Sequence, residues 1–340
     1  MKNKFNKKLF NLETNKDFKS LKVKNIKFFK NILKKHGIFN IKEVFKVIKK
    51  SSNSNIFFIN TNQKELVLRE SGLNFFKELN ASSKIVSELD NYFFKLIKLK
   101  NRCVFKKYKK VYIIYEKIDG NIFNGDFHLI NKILSKILNL NFELKKKKIK
   151  GIKKNKYDKK KIINLNSFLI QKNIYKNFLS KKTLKLIESN NDYFRENFIK
   201  VKKLIIKRNL QIVHGDINHA NIIINKNLIK FLDIEDIKVD NVKISLSYAL
   251  FKLFRHCIYK NVRAYDLIIK KIKPLIYKKL ILKNKVFKNE NELFLFCFFK
   301  LMADISLIVE NLNNNNKMYL YDFEKKILNL IELKYIFKNQ

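Results

Sequence analysis

Val213-His214-Gly215-Asp216-Ile217-Asn218-His219-Ala220-Asn221 leads into an apolar segment that ends at Leu232-Asp233-Ile234-Glu235-Asp236. Asn221-Ile222-Ile223-Ile224 and Ile229-Lys230-Phe231-Leu232 are short runs rich in β-formers, and the intervening Asn225-Lys226-Asn227-Leu228 suits a tight turn, so the segment predicts a hairpin. A turn centred on Asn227 sets Ile222 opposite Leu232 and Asn221 opposite Asp233, with the Cα atoms of that last pair roughly 5 Å apart. Two hard oxygen ligands then converge at the open end of the hairpin. Magnesium suits such a pair, because it takes an octahedron of oxygens and usually draws only one or two of them from protein. Asp216 lies on the loop entering the hairpin, where a carboxylate can orient a hydroxyl and accept its proton, the place of a general base. His214 is positioned to brace that loop by hydrogen bonds, and His219 reads as a loop or substrate-edge residue rather than a metal ligand.

Asp-x-x-x-x-Asn followed by an aspartate at the end of the next strand is the spacing by which kinases set one catalytic carboxylate and two magnesium ligands around a γ-phosphate. The constellation resembles the aminoglycoside phosphotransferase and choline kinase superfamily, the small-molecule branch of the protein-kinase-like fold. Gly215 stands where protein kinases carry arginine, Glu235-Asp236 where they carry Phe-Gly, and no Ala-Pro-Glu segment follows, the chain's only proline being Pro274. The resemblance implies an α+β, two-lobed protein-kinase-like fold, with a small antiparallel-sheet N-lobe and a mainly helical C-lobe. It also implies ATP and Mg as cofactors, Asp216 as catalytic base with His214 stabilising its loop, Asn221 and Asp233 as metal ligands, and Glu235 as an additional acidic group. The acceptor would be the hydroxyl of a small molecule such as a sugar or amino alcohol.

Upstream, 44–48, 55–60 and 65–69 read as three successive strands separated by polar turns. In the family the first turn covers the nucleotide phosphates; here it offers Ser52 and Asn53. The third strand carries a cation for the α- and β-phosphates, and Arg69 occupies that place, where lysine is commoner and the planar fork of arginine changes the geometry. A period near 3.6 over 83–97 predicts a helix whose Glu88 is the expected partner of Arg69. Val104-Phe105-Lys106 and Val111 to Glu116 form a further strand pair, and Glu116-Lys117-Ile118-Asp119-Gly120 reads as the hinge against which adenine would sit. Helical spacing dominates afterwards, at 127–140, 183–207, 244–257, 264–280, 290–312 and 318–333. The expected organisation is a basic extension over 1–25, a nucleotide-binding N-lobe over 26–119 and a helical C-lobe over 120–340.

Composition narrows the alternatives. A chain of 340 residues that is 46% hydrophobic can bury a core and fits one two-lobed unit. Lysine interrupts every apolar stretch near the N-terminus, and Lys300 and Asp304 interrupt the most hydrophobic segment, so neither a signal peptide nor a membrane span is expected. Cys103, Cys257 and Cys297 are far apart and lack zinc or disulfide spacing, which fits a reducing cytoplasm. The formal charge of +46 attracts anionic partners in principle. Yet only six of the 75 cations are arginine, and the lysines are spread over every segment alongside asparagine, isoleucine and phenylalanine, the residues of AT-rich codons. A nucleic-acid reader clusters its charge and favours arginine, so no nucleic acid is required, and the dense run 145–161 reads as a solvated face. Two alternatives stay open: a protein or lipopolysaccharide-sugar kinase, and an inactive kinase-like fold binding nucleic acid or anionic membrane.

Overall fold

A computed structural model describes residues 19–35, 37–48, 54–98, 102–157, 162, 180–206, 208–226, 228–313 and 320–337. The N-terminal half is built on an antiparallel sheet. Its strands are β1 (Lys19–Lys22), β2 (Ile41–Ile48), β3 (Ser54–Thr61), β4 (Glu65–Gly72), β5 (Val104–Lys107) and β6 (Lys110–Glu116), ordered β1-β2-β3-β4-β6-β5. Helix α1 (Lys27–Lys34) connects β1 to β2, and α2 (Phe76–Val86) follows β4. All the strands expected here form, and β1 adds an edge strand from within the stretch expected to be a mere extension, pairing Lys19 with Ile48 and Lys22 with Phe45.

Alternation along the strands decides which face each side chain serves. Leu66 and Leu68 of β4 join Val44, Ile59 and Ile114 under Phe29, Ile32 and Leu33 of α1 in one closed apolar cluster. Arg69 and Ser71, at odd positions, lie on the opposite face. There they reach the second half of the molecule, bonding residues 164 and 166 positions away.

The helix expected over 83–97 ends at Val86 instead. Beyond it the chain turns back so that Phe93, Phe94 and Leu96 are buried, and the Ile97 N–H donates to the Ile114 carbonyl while Glu116 N–H donates to Lys95. Burying Phe94 and Leu96 against Tyr115 of β6, and Phe93 against the His214 and Phe231 rings, outweighs continuing a helix that would leave part of them in water.

Lys117 to Gly120 links the sheet to β7 (Asn121–Ile122), which pairs with the hairpin strand that carries the site. Helices α3 (Ile130–Lys145), α4 (Lys181–Glu188) and α5 (Asn191–Lys202) follow; the single helix expected at 183–207 is broken at Ser189-Asn190. Strand β8 (Leu210–His214) precedes the hairpin β9 (Ile222–Asn225) and β10 (Leu228–Phe231), and β11 (Ile237–Asn241) returns antiparallel to β8. The chain closes with α6 (Val242–Lys260), α7 (Tyr265–Ile276), α8 (Glu290–Asn313) and α9 (Leu320–Phe337). Asn241 caps α6, its side-chain oxygen accepting from the N–H groups of Lys243 and Ile244. Helices α6, α8 and α9 pack on one another through fully buried Phe251, Phe254, Phe298, Phe299, Ile327 and Leu330, which makes them a rigid floor beneath β8 and β11.

Candidate active site

Strand β8 delivers His214 into the core, and the next two residues turn out of it. The His214 ring is buried and stacked on Phe93 at 6.1 Å. Its Nδ1 accepts the Asp216 N–H at 3.3 Å, so the proton sits on Nε2, which donates to the Leu232 carbonyl at 2.6 Å. Both ring nitrogens are therefore spent on holding the loop to the hairpin exit, and the bracing role expected for His214 follows from this pairing. Gly215 donates to the Asp236 carbonyl at 2.7 Å, closing the loop from the other side.

Asp216 is gripped at both carboxylate oxygens. Lys252 of α6 lies 2.5 Å from Oδ1, and the Asn218 amide donates to Oδ2 at 2.9 Å. Burial by itself would raise this carboxyl, but the Lys252 ammonium and the two hydrogen bonds outweigh it and hold the group well below the usual carboxylate range. Asn218 also accepts the Ala220 N–H at 2.9 Å, which fixes the short helical turn leading to Asn221. Asn221 turns its Nδ2 toward the Asp216 carbonyl, 2.8 Å away. A carbonyl oxygen takes only a donor, so the amide orientation is set and Oδ1 is left as its free ligand atom.

The hairpin forms with a register one residue from the expected one. Phe231, not Leu232, faces Ile222, and Leu228 faces Asn225, so the turn has two residues, with Lys226 in the left-handed region at φ 44°. Asn221 consequently faces Leu232, whose N–H donates to the Asn221 carbonyl at 2.8 Å. Asp233 reaches the site another way: its backbone adopts the left-handed conformation, φ 63° and ψ 66°, turning the chain at the end of the hairpin. One carboxylate oxygen from each of Asp216, Asp233 and Asp236 then lies within 4.8 Å of the others. Asp236 is the member that spacing did not single out as a ligand. Burial, and then the neighbouring Asp216 and Asp233 charges, push its carboxyl upward against the pull of Lys238. Three converging carboxylates and an amide oxygen are hard donors, the set that suits magnesium.

Arg69 enters this cluster from β4. One guanidinium nitrogen lies 2.9 Å from Asp233 Oδ1, the other pairs with Glu235, and Ser71 donates to the second Glu235 oxygen at 2.9 Å. The pairing expected between Arg69 and Glu88 does not form. Because α2 stops at Val86, Glu88 sits in the following turn, half exposed, 2.7 Å from Lys147. The acidic partner comes instead from the hairpin exit, as Glu235. Glu116 stands at the end of β6 with its carboxylate 2.9 Å from Lys64, at the start of the connection to β7. Ser52 and Asn53 lie outside the described residues. His219 stacks on His256 of α6 at 3.8 Å.

Part of the lysine-rich run 145–161 is docked rather than free. Ile152 is buried, the Val239 N–H donates to the Lys153 carbonyl at 2.8 Å while the Asn155 N–H donates to the Val239 carbonyl at 2.9 Å, and the Asn155 and Tyr157 side chains both donate to Asp240 at 2.8 Å. A cleft of about 520 Å³ opens between Lys145, Lys147, Lys148 and the Leu210 end of β8, the end remote from Asp216. Among the described residues the three cysteines are buried and unpaired, and no helix is long and apolar enough to cross a membrane.

The sequence matches no protein-family model and no curated protein. Solved structures do match. A spectinomycin phosphotransferase in complex with ADP and spectinomycin aligns over 91% of this chain and 98% of its own, at 12% identity and a TM-score of 0.57. An amicoumacin kinase in complex with AMP-PNP and Ca²⁺ covers 88% and 92%, at 13% identity and a TM-score of 0.54. The choline kinase of Cryptosporidium parvum covers 91% and 96%, at 13% identity and a TM-score of 0.54. The antiparallel sheet, the hairpin and the helical floor are therefore one arrangement, the two-lobed protein-kinase-like fold of the aminoglycoside phosphotransferases and choline kinases.

Proposed function

We propose that this chain is an ATP- and magnesium-dependent phosphotransferase that moves the γ-phosphate to the hydroxyl of a small molecule. The observation that carries the reading is the convergence of the Asp216, Asp233 and Asp236 carboxylates within 4.8 Å, beside an Asn221 amide whose oxygen is left free. Nucleotides or their analogues accompany two of the similar structures. Asn221, Asp233 and Asp236 would hold magnesium, which when bound neutralises phosphate charge and orients the nucleotide.

Asp216 has a different task. Held ionised by Lys252 and Asn218, it is a weak base, but phosphoryl transfer through a loose transition state asks chiefly for a hydroxyl held in line, with its proton given up late. A carboxylate has about four acceptor sites, so the three existing bonds, from Lys252, Asn218 and, at 3.5 Å, the Asn221 amide, leave room for the acceptor hydroxyl. Arg69 balances Asp233 and Glu235, fixes them against β4, and brings a cation to the side where the nucleotide phosphates would lie. Glu116 and the connection after it supply backbone groups for the base.

A library of small hydroxyl compounds, scored by magnesium-dependent ADP release and by phosphorus NMR of the product, tests this. The expected result is a new phosphate ester on a small molecule. Phosphate appearing only on protein or glycolipid, or no ADP release with any compound, would replace the reading by one of the alternatives.

A further inference from the structure

Beside Asp216, three ammonium groups gather over one aromatic ring. The Nζ atoms of Lys252, Lys326 and Lys300 lie 4.5, 4.9 and 5.1 Å from the centroid of Tyr248, whose ring is buried on α6. They come from three helices, α6, α8 and α9, so the gathering is a product of tertiary packing. Lys300 and Lys326 share a single carboxylate, Asp304, with Lys326 at 2.5 Å, and Lys326 also donates to the Tyr248 hydroxyl. Lys252 leans on Asp216 at 2.5 Å.

Nearby Asp240 is occupied by neutral donors, taking bonds from Asn155, Tyr157 and the Asn241 N–H. The three lysine side chains are only 26, 14 and 19% exposed, for Lys252, Lys300 and Lys326 in turn. Asp240 keeps its charge at a distance, and only Asp304 and Asp216 touch the three ammonium groups; an ammonium has three donors, so each lysine has donor capacity left for the oxygens of an anionic ligand. Burial, then the Lys252 and Lys300 charges, bring Lys326 down to about 8 in spite of Asp304, whereas Asp304, Asp240 and Asp216 hold Lys300 above the ordinary lysine value against its burial.

The geometry points to an acceptor pocket in which Lys252, Lys300 and Lys326 recognise a carboxylate or phosphate carried by the alcohol whose hydroxyl meets Asp216. This rests on the phosphotransferase reading and names its substrate class: an acidic alcohol, such as a sugar acid or a sugar phosphate. A polyamine or choline would bring like charge to the same three ammoniums.

Calorimetry in the presence of magnesium and AMP-PNP, using glucose, glucuronate, glucose 6-phosphate, choline and kanamycin, separates the cases. An acid-bearing sugar is expected to bind at least about tenfold more tightly than glucose, the stronger of the two acids identifying carboxylate or phosphate. Lys326→Gln should erase that preference and Lys326→Arg recover part of it, each with the wild-type affinity for Mg·AMP-PNP as proof of a folded nucleotide site. Binding of neutral or cationic members as tight as the acids would overturn the proposal, as would a preference untouched by Lys326→Gln, or no acid binding beside normal Mg·AMP-PNP binding. If Mg·AMP-PNP itself fails to bind, the phosphotransferase reading falls first and the acceptor proposal with it.

Discussion

Asp216 owes its ionised state to two residues that spacing alone could not pair with it, Lys252 on α6 and Asn218 two positions on. As the proposed base, Asp216→Asn should lower turnover by about 10²- to 10⁴-fold, with Mg·ATP affinity little changed; steady-state kinetics beside nucleotide titration checks both. Its folded-state carboxyl lies below the ordinary value of about 3.9, so its contribution to stability is complete above that value and is lost as pH falls through the folded one. Urea midpoints followed below about pH 4 should therefore fall less steeply for Asp216→Asn than for wild type. His214 tests the scaffold rather than the chemistry. Replacing it by alanine strands the Leu232 carbonyl and the Asp216 N–H, at about 1–3 kcal/mol for each group left unsatisfied, and should lower stability and turnover together.

The hairpin shows how far periodicity reaches at the scale of elements. Both strands and the asparagine-bearing turn were legible, because alternating β-formers and turn residues act over a few neighbours. The register was not: a two-residue turn with Lys226 at positive φ is decided by how β9 also pairs with β7, and by the left-handed turn at Asp233 that follows. Glu88 misled for the same reason. Its helix was cut short by burial of Phe93, Phe94 and Leu96, contacts that helical spacing cannot anticipate, and the acid meeting Arg69 lies 166 residues away. Arg69 now binds two elements together, so Arg69→Met, leaving Asp233 and Glu235 without their cation, should destabilise by about 3–5 kcal/mol. Arg69→Lys should restore part of this, since charge returns without the fork. Denaturant melts of the two variants give the comparison, and equal stability would mean that the pair does not hold β4 to the hairpin.

Across the whole molecule, the lobes meet where β4 faces the hairpin and where Lys117 to Gly120 crosses to β7. A nucleotide in that junction adds contacts that the unfolded chain lacks, so Mg·ATP at 100 times its Kd should raise stability by about 2.7 kcal/mol, visible as a higher Tm that magnesium or ATP alone does not reproduce. The helical floor was readable from its period. The basic surface said less: +46 measures the chain's lysine richness, while the charges bearing on the site are the few gathered at Asp216, Arg69 and Tyr248, which composition averages away. Magnesium-dependent binding of AMP-PNP to wild type, Asp233→Ala and Asp236→Ala, measured by calorimetry over a magnesium series, addresses the carboxylate cluster directly. Wild type should bind the nucleotide far more tightly with magnesium, and each alanine variant should need more of the ion for the same affinity. AMP-PNP binding indifferent to magnesium, or variants with the wild-type magnesium dependence, would show that Asp233 and Asp236 do not hold the metal of a nucleotide site.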